Sequence, residues 1–104
     1  MKENRGSFDD RVEIWIAEVK QLDAEVHLDK YVDVIEIRTL GGVELMDGPQ
    51  SWDGYLVGLS DHERSGLIGQ QLDLKLPSGQ TGRAVMTDYN SGALTGFGMG
   101  GAPF

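Results

Sequence analysis

The stretch LDLKLPSGQTGRAVMT, residues 72–87, decides the fold class of this chain. Leucine occupies every second position from 72 to 76 and alternates with charged residues, which is the period of a half-buried strand. Pro-Ser-Gly at 77–79 has the composition of a turn, and residues 81–87 return as a second strand-like run. The stretch therefore predicts a β-hairpin and, with it, an antiparallel sheet.

The N-terminal half shows the same alternation in two further runs. Apolar residues alternate with polar or aromatic ones through residues 12–17 and again through residues 22–29. Apolar residues within 12–26 also recur at helical spacing, and Ser7 with Asp10 has the spacing of a capping box. The high content of β-branched residues favours strands, and a helix over this segment stays open as the alternative.

Glycine and proline divide the rest of the chain into short runs. The alternation of apolar and polar residues shifts by one position between Val34 and Ile35, which is typical of a bulge. Ser60 and Glu63 have capping-box spacing and predict one short helix. Further strands are predicted at 32–40, 43–46, 52–59 and from 93 onward, with turns at 41–42, 47–49 and 88–92.

These patterns predict an all-β protein, a small antiparallel barrel or sandwich of about seven strands with one short helix. At 104 residues the chain has room for one core. We expect residues 1–10 to form a flexible N-terminal arm and residues 11–104 to form a single β domain.

Charge and composition exclude several classes of partner. Seventeen acidic and nine basic residues give a formal net charge of −8. An acidic surface without a lysine or arginine cluster repels phosphate, so neither nucleic acid nor a membrane is expected as a partner. The absence of cysteine excludes disulfides, thiolate metal ligands and a cysteine nucleophile. The polar N-terminus and the lack of a long apolar run predict a soluble, cytoplasmic protein.

No cofactor is expected. The glycine-rich residues 96–101 superficially resemble a dinucleotide-binding loop, but such a loop needs a following helix to support the phosphates, and none can follow here. A bulky side chain or a crossing strand close against the backbone explains the glycines better, with Pro103 and Phe104 as a plug. His27 and His62 lie in separate predicted elements without paired carboxylates, so no metal site is expected.

Three charged residues of one predicted strand are the candidate catalytic groups. Asp33, Glu36 and Arg38 would supply a general acid or base and an oriented ion pair if that strand lined a barrel interior. A solvated strand face is the simpler alternative.

The candidate ligand-binding residues are Trp15, His27, Tyr31, Trp52 and Tyr55. Aromatic side chains line apolar pockets, although in a small domain they more often belong to the core. A functional role for His27 would be favoured if His27 and Trp15 shared an interior face of the sheet.

A family resemblance rests on the second half of the chain. SWDGYL at 51–56 is similar to the Trp-x-Gly strand of the DUF4873 family, and LPSG at 76–79, Gly-x-Gly at 96–98 and Pro-Phe at 103–104 resemble that family's closing hairpin and ending. The resemblance implies a small β-rich domain of unknown function, found alone or behind flavin-dependent monooxygenase domains. It implies no catalytic residues, and residues 32–46 are longer here than in the family pattern.

Three functions are compatible with these observations. The first is a cofactor-free β-barrel that binds an apolar small molecule, with a non-redox cyclisation or isomerisation in secondary metabolism as the expected reaction. The second is a non-catalytic accessory domain that partners an oxygenase. The third is a self-associating structural protein, a homo-oligomer formed through an exposed sheet edge.

Overall fold

Antiparallel strands close into a barrel in the computed structural model, which describes residues 1–97 and 101–104. Around the barrel the strand order is β1-β2-β3-β6-β5-β4, and β4 pairs with β1. The elements are β1 (Lys2–Ile16), β2 (Val19–Thr39), β3 (Gly42–Val57), α1 (Asp61–Leu67), β4 (Gln71–Lys75), β5 (Thr81–Asp88) and β6 (Ala93–Gly96). The all-β prediction is confirmed, and within the described residues the barrel has six strands.

The barrel interior is filled by aliphatic side chains from alternate positions of the strands. No polar or charged residue is buried in the described part of the chain. Among the described residues the interior therefore offers no acid or base, and the indole N–H of Trp52 is its one polar side-chain group. The fully buried large side chains are Ile14, Leu28, Leu67, Leu72, Leu74 and Leu94.

The first hairpin settles the choice between helix and strand over residues 12–26. β1 and β2 pair from Ile16 and Val19 outward, so the segment consists of two extended strands joined by a tight turn. The turn between them is made by Ala17 and Glu18, whose φ values are 48° and 68°. Positive φ at both central residues matches the twist of the flanking strands, but side chains other than glycine and asparagine adopt it reluctantly.

The N-terminal residues differ from the expected loose arm. Residues 2–10 belong to β1 and pair with β2, with a bulge at Arg5. The terminal amine lies 2.9 Å from a carboxylate oxygen of Asp33, and the Phe8 ring packs against Phe104 with 5.8 Å between centroids. Ladder hydrogen bonds and an apolar contact with the core thus hold this segment in the sheet.

Two predicted breaks are absent, and this accounts for the lower number of strands. The predicted strands at 22–29 and 32–40 form one continuous strand, β2. The segment 47–49, predicted as a turn, lies inside β3, where Gly48 and Pro49 form a bulge opposite Asp33. Pro49 fits there because β6 pairs with β3 only at residues 53–55 and leaves the proline on a free edge. The turn predicted at 41–42 is present one residue earlier, at Leu40-Gly41.

The β2–β3 hairpin extends beyond the barrel. β1 pairs with β2 only as far as Asp33, so residues 35–46, called the hairpin arm below, form a two-stranded ribbon. The molecule measures 57 × 28 × 22 Å, and its Cα radius of gyration is 16.0 Å. A globular chain of this length is expected to have a radius of gyration of about 13 Å.

The remaining elements follow the sequence closely. Ser60 caps α1 and forms the predicted capping box with Glu63. The β4–β5 hairpin and the start of the last strand at Ala93 are also as predicted. β6 ends at Gly96, and the predicted continuation through Gly98-Met99-Gly100 lies outside the described residues. Among the described residues no helix is long and apolar enough to cross a membrane.

Candidate functional site

A cleft of about 750 Å³ lies over β1, β4 and β5. Its volume falls within the range of about 300–1,000 Å³ that is usual for small-molecule sites. Two of the predicted ligand-binding residues, Trp15 and Trp52, line it together. Its other side chains include Asp73, Lys75, Arg83 and Phe97.

Glycines in β5 and β6 position Trp52. A Cβ added at Gly96 would collide with the indole ring, and a Cβ at Gly82 would meet both that ring and Pro103. The indole therefore lies directly on the backbone of the two strands and is buried except for the edge that reaches the cleft. The predicted close approach is confirmed at Gly96.

Trp15 forms another wall of the cleft. It pairs with Asp73 of β4, and its Nε1–H donates a hydrogen bond of 3.1 Å to Glu13 Oε1. Because its only polar group is satisfied within β1, the half-buried ring offers an apolar surface. The two tryptophans give the cleft an aromatic character.

The charges that line the cleft cancel. Arg83 Nε lies 3.7 Å from Asp73 Oδ1, which partly neutralises both groups. Lys75 forms no salt bridge with any residue that the structure describes, and Glu18 supplies the other carboxylate. Two cations and two anions make the cleft locally neutral on a chain of net charge −8, and the Lys75 ammonium is free to donate hydrogen bonds.

His27 lies on the outer face of the sheet, away from the cleft. Its Nδ1 is 2.6 Å from a carboxylate oxygen of Asp9 and its Nε2 is 2.8 Å from one of Asp29. Tyr55, another predicted ligand-binding residue, stacks beside it with 5.2 Å between ring centroids. The structure therefore brings His27 and Tyr55 together but separates them from Trp15 and Trp52.

The two carboxylates favour the imidazolium form of His27. A neutral imidazole has one N–H donor, whereas two carboxylate partners need two. The hydrogen bonds that His27 donates to Asp9 and then to Asp29 raise the pKa of His27 above its ordinary value of 6.5. The pKa of Asp29 is lowered, chiefly because Ser7 donates a hydrogen bond to it, and Asn4 and His27 add to the effect. The group is a hydrogen-bonded ion cluster that ties β1 to β2.

Tyr31 lies in a third place. It lines a smaller pocket of about 350 Å³, which Lys30 and Phe104 also line. Burial, followed by the carboxylate of Asp53, raises the pKa of the Tyr31 phenol. Lys30 Nζ donates a hydrogen bond of 2.9 Å to the backbone oxygen of Phe104, which holds the end of the chain on the barrel.

The three predicted catalytic residues do not line the barrel interior. Glu36 and Arg38 are exposed on the hairpin arm, and the exposed Asp33 binds the terminal amine at the base of the arm. None of the three lines the cleft. Their position matches the alternative of a solvated strand face, because the β2–β3 ribbon leaves the barrel where they occur.

Sequence reasoning missed the charged residues of the cleft. Asp73 and Lys75 are the outward positions of the leucine alternation in β4, and the β4–β5 hairpin pairs Asp73 with Arg83. The pairing of Asp73 with Arg83 could have been predicted from the hairpin register, but only the closed barrel brings Trp15 beside Asp73. Among residues 1–97 and 101–104 no group of three or more His, Cys, Asp or Glu residues is arranged so that it could hold a metal ion.

Comparisons with protein-family models, curated proteins and solved structures found no match to this chain.

Proposed function

We propose that this protein binds an apolar, aromatic small molecule in the cleft between Trp15 and Trp52. The observation that carries the proposal is the convergence of these two tryptophans, from different strands, on one cleft of ligand size. A flat apolar molecule in this cleft would exchange water for contact with the Trp15 ring and with the small accessible part of Trp52.

Lys75 indicates that the ligand also carries a hydrogen-bond acceptor. Its ammonium has no salt-bridge partner among the described residues, so it can donate to a carbonyl or carboxylate oxygen of the ligand. Arg83 is engaged by Asp73 and contributes less to binding. An aromatic body with a single oxygen acceptor is therefore the expected ligand.

The proposal is one of binding rather than of cyclase or isomerase activity. The predicted catalytic residues Asp33, Glu36 and Arg38 lie on or beside the hairpin arm, outside the cleft. Within the cleft, the acid–base groups are the half-buried Asp73 and three exposed side chains, and their charges compensate one another. This arrangement suits recognition of a ligand better than proton transfer to it.

The test is a fluorescence titration with two probes of similar shape. N-phenyl-1-naphthylamine is uncharged, and 1-anilinonaphthalene-8-sulfonate carries one sulfonate. Both are expected to bind once per chain. Trp15→Ala is expected to weaken both by at least about tenfold, because it removes an aromatic wall of the cleft. Lys75→Ala is expected to weaken only the sulfonate, by about three- to tenfold at this exposed position.

Two control variants make the outcome specific. Lys2→Ala removes an exposed lysine outside the cleft and should leave both affinities unchanged. Leu45→Lys removes an exposed apolar residue of the hairpin arm and should also leave the affinities for both probes unchanged. Loss of binding in Leu45→Lys, with retention in Trp15→Ala, would place the probe on the arm and refute the proposal.

A further inference from the structure

The hairpin arm carries six of the twelve large apolar side chains that are exposed among the described residues. Leu45 is 69% exposed and Val43 is 54% exposed. Soluble monomers rarely present such residues together on one element, and contiguous apolar patches usually mark an interaction surface. The exposed apolar residues of the arm are Ile35, Ile37, Leu40, Val43, Leu45 and Met46.

Cross-strand register assigns these residues to two faces. Ile35 pairs with Met46 and Ile37 pairs with Glu44, so three apolar side chains and one anion share a face. On the opposite face Leu45 pairs with Glu36 and Val43 pairs with Arg38, so two apolar side chains lie beside one anion and one cation. We call this second set, Glu36, Arg38, Val43 and Leu45, the arm face.

The arm is incomplete by itself. A two-stranded hairpin is marginally stable in water and gains stability from a third strand or a packed layer. Among the described residues nothing pairs with β2 beyond Val34 except β3, and nothing pairs with β3 before residue 53 except β2. Both edges of the ribbon and both of its faces are therefore open.

The chain has a larger solvent-accessible surface area than a folded monomer of its mass is expected to have. The chain exposes 6537 Å². A folded monomer of 11.4 kDa is expected to expose about 5,800 Å². The excess of about 700 Å² is close to the roughly 800 Å² that each partner buries in a standard protein–protein interface.

We propose that the arm face is the interface of a symmetric dimer formed with a second copy of this chain. Glu36 and Arg38 lie two residues apart on this face, so an antiparallel twofold arrangement sets Glu36 of each copy opposite Arg38 of the other. The same operation packs Val43 and Leu45 of one copy against those of its partner. This charge pattern complements itself, which favours a second copy over an unrelated partner.

The inference is independent of the proposed ligand cleft, since the arm contributes no residue to it. The primary experiment is sedimentation equilibrium over about 1–500 μM protein. The expected result is a mass that rises from 11.4 kDa to twice that value. A mass that stays at 11.4 kDa throughout this range would overturn the proposal.

Two substitutions on the arm separate the faces. Leu45→Lys is expected to raise the dimer dissociation constant by at least about a hundredfold, since two buried leucines are lost per dimer. Met46→Lys is the matched control, because Met46 is its neighbour, 53% exposed and on the opposite face. If both variants dissociate equally, or neither does, the assigned face is wrong.

Charge reversal tests directly whether the partner on the arm face is a second copy of this chain. Glu36→Arg alone, or Arg38→Glu alone, opposes like charges and should weaken the dimer by about tenfold. The double variant Glu36→Arg/Arg38→Glu restores opposite charges across the twofold axis and should recover the wild-type dissociation constant. Failure of the double variant to recover it would contradict the antiparallel arrangement, and a different occupant of the arm, such as a lipid surface, would not produce this rescue.

Discussion

Replacing Gly96 by alanine tests the packing that positions Trp52 in the cleft. The added Cβ would overlap three atoms of the indole, Cδ2, Nε1 and Cε2. The ring cannot simply move aside, because the backbone of Gly82 lies close to its Cζ2 and only 4% of the residue is exposed. Either β6 must shift away from β3 or Trp52 must leave its rotamer.

The expected cost follows from overpacking in a filled core. One methyl forced into such a site destabilises by about 1–3 kcal/mol. Gly66→Ala is the matched control, since Gly66 lies in α1 with no atom within 4 Å of an added Cβ. In a helix interior the same substitution is expected to stabilise by about 0.5–1 kcal/mol.

Urea denaturation followed by circular dichroism measures both effects. The two variants should shift the unfolding midpoint in opposite directions, with Gly96→Ala lower than wild type and Gly66→Ala higher. Gly96→Ala should also weaken binding of N-phenyl-1-naphthylamine, because the indole edge that lines the cleft moves. Equal midpoints for Gly96→Ala and wild type would refute the proposed contact between the indole and β6.

Two further predictions concern the ion cluster and the helix cap. In an NMR pH series the pKa of His27 is expected to lie above 6.5. Because the folded pKa exceeds the unfolded pKa, the stability that His27 contributes is complete below the unfolded pKa and is lost as the pH rises through the folded pKa. The difference in unfolding free energy between wild type and His27→Asn should therefore shrink at alkaline pH, and a constant difference would contradict the assignment. Ser60→Ala removes the cap of α1 and should lower the unfolding free energy by about 0.5–2 kcal/mol. Ser51→Ala is the control and should be near-neutral, because Ser51 is exposed in β3 and its hydroxyl bonds no other described residue.

The sequence predicts those parts of the fold whose signals are local. The leucine alternation in β4, the turn at 77–79 and the capping box at Ser60 each depend on neighbouring residues, and each is present in the structure. The first hairpin was harder to predict because its turn uses Ala17 and Glu18, which are not typical turn residues. Without a glycine or asparagine there, helical spacing and strand alternation compete over the same residues.

The parts that could not be predicted depend on contacts distant in sequence. Residues 2–10 look like a polar arm until β2 pairs with them. Gly48-Pro49 has turn chemistry, but on a free edge the same residues form a bulge. Likewise, Trp15 and Trp52 could be chosen as binding residues by type, whereas their meeting in one cleft needs the closed barrel.

The most direct test of the central claim uses the two tryptophans as reporters. The chain contains two of them, so a ¹H–¹⁵N NMR spectrum shows two indole N–H signals. On titration with N-phenyl-1-naphthylamine the account predicts that both signals shift together with the amide signals of Lys75 and Arg83, while those of the hairpin arm stay in place. Shifts confined to the arm, or indole signals that do not move at saturating probe, would contradict it.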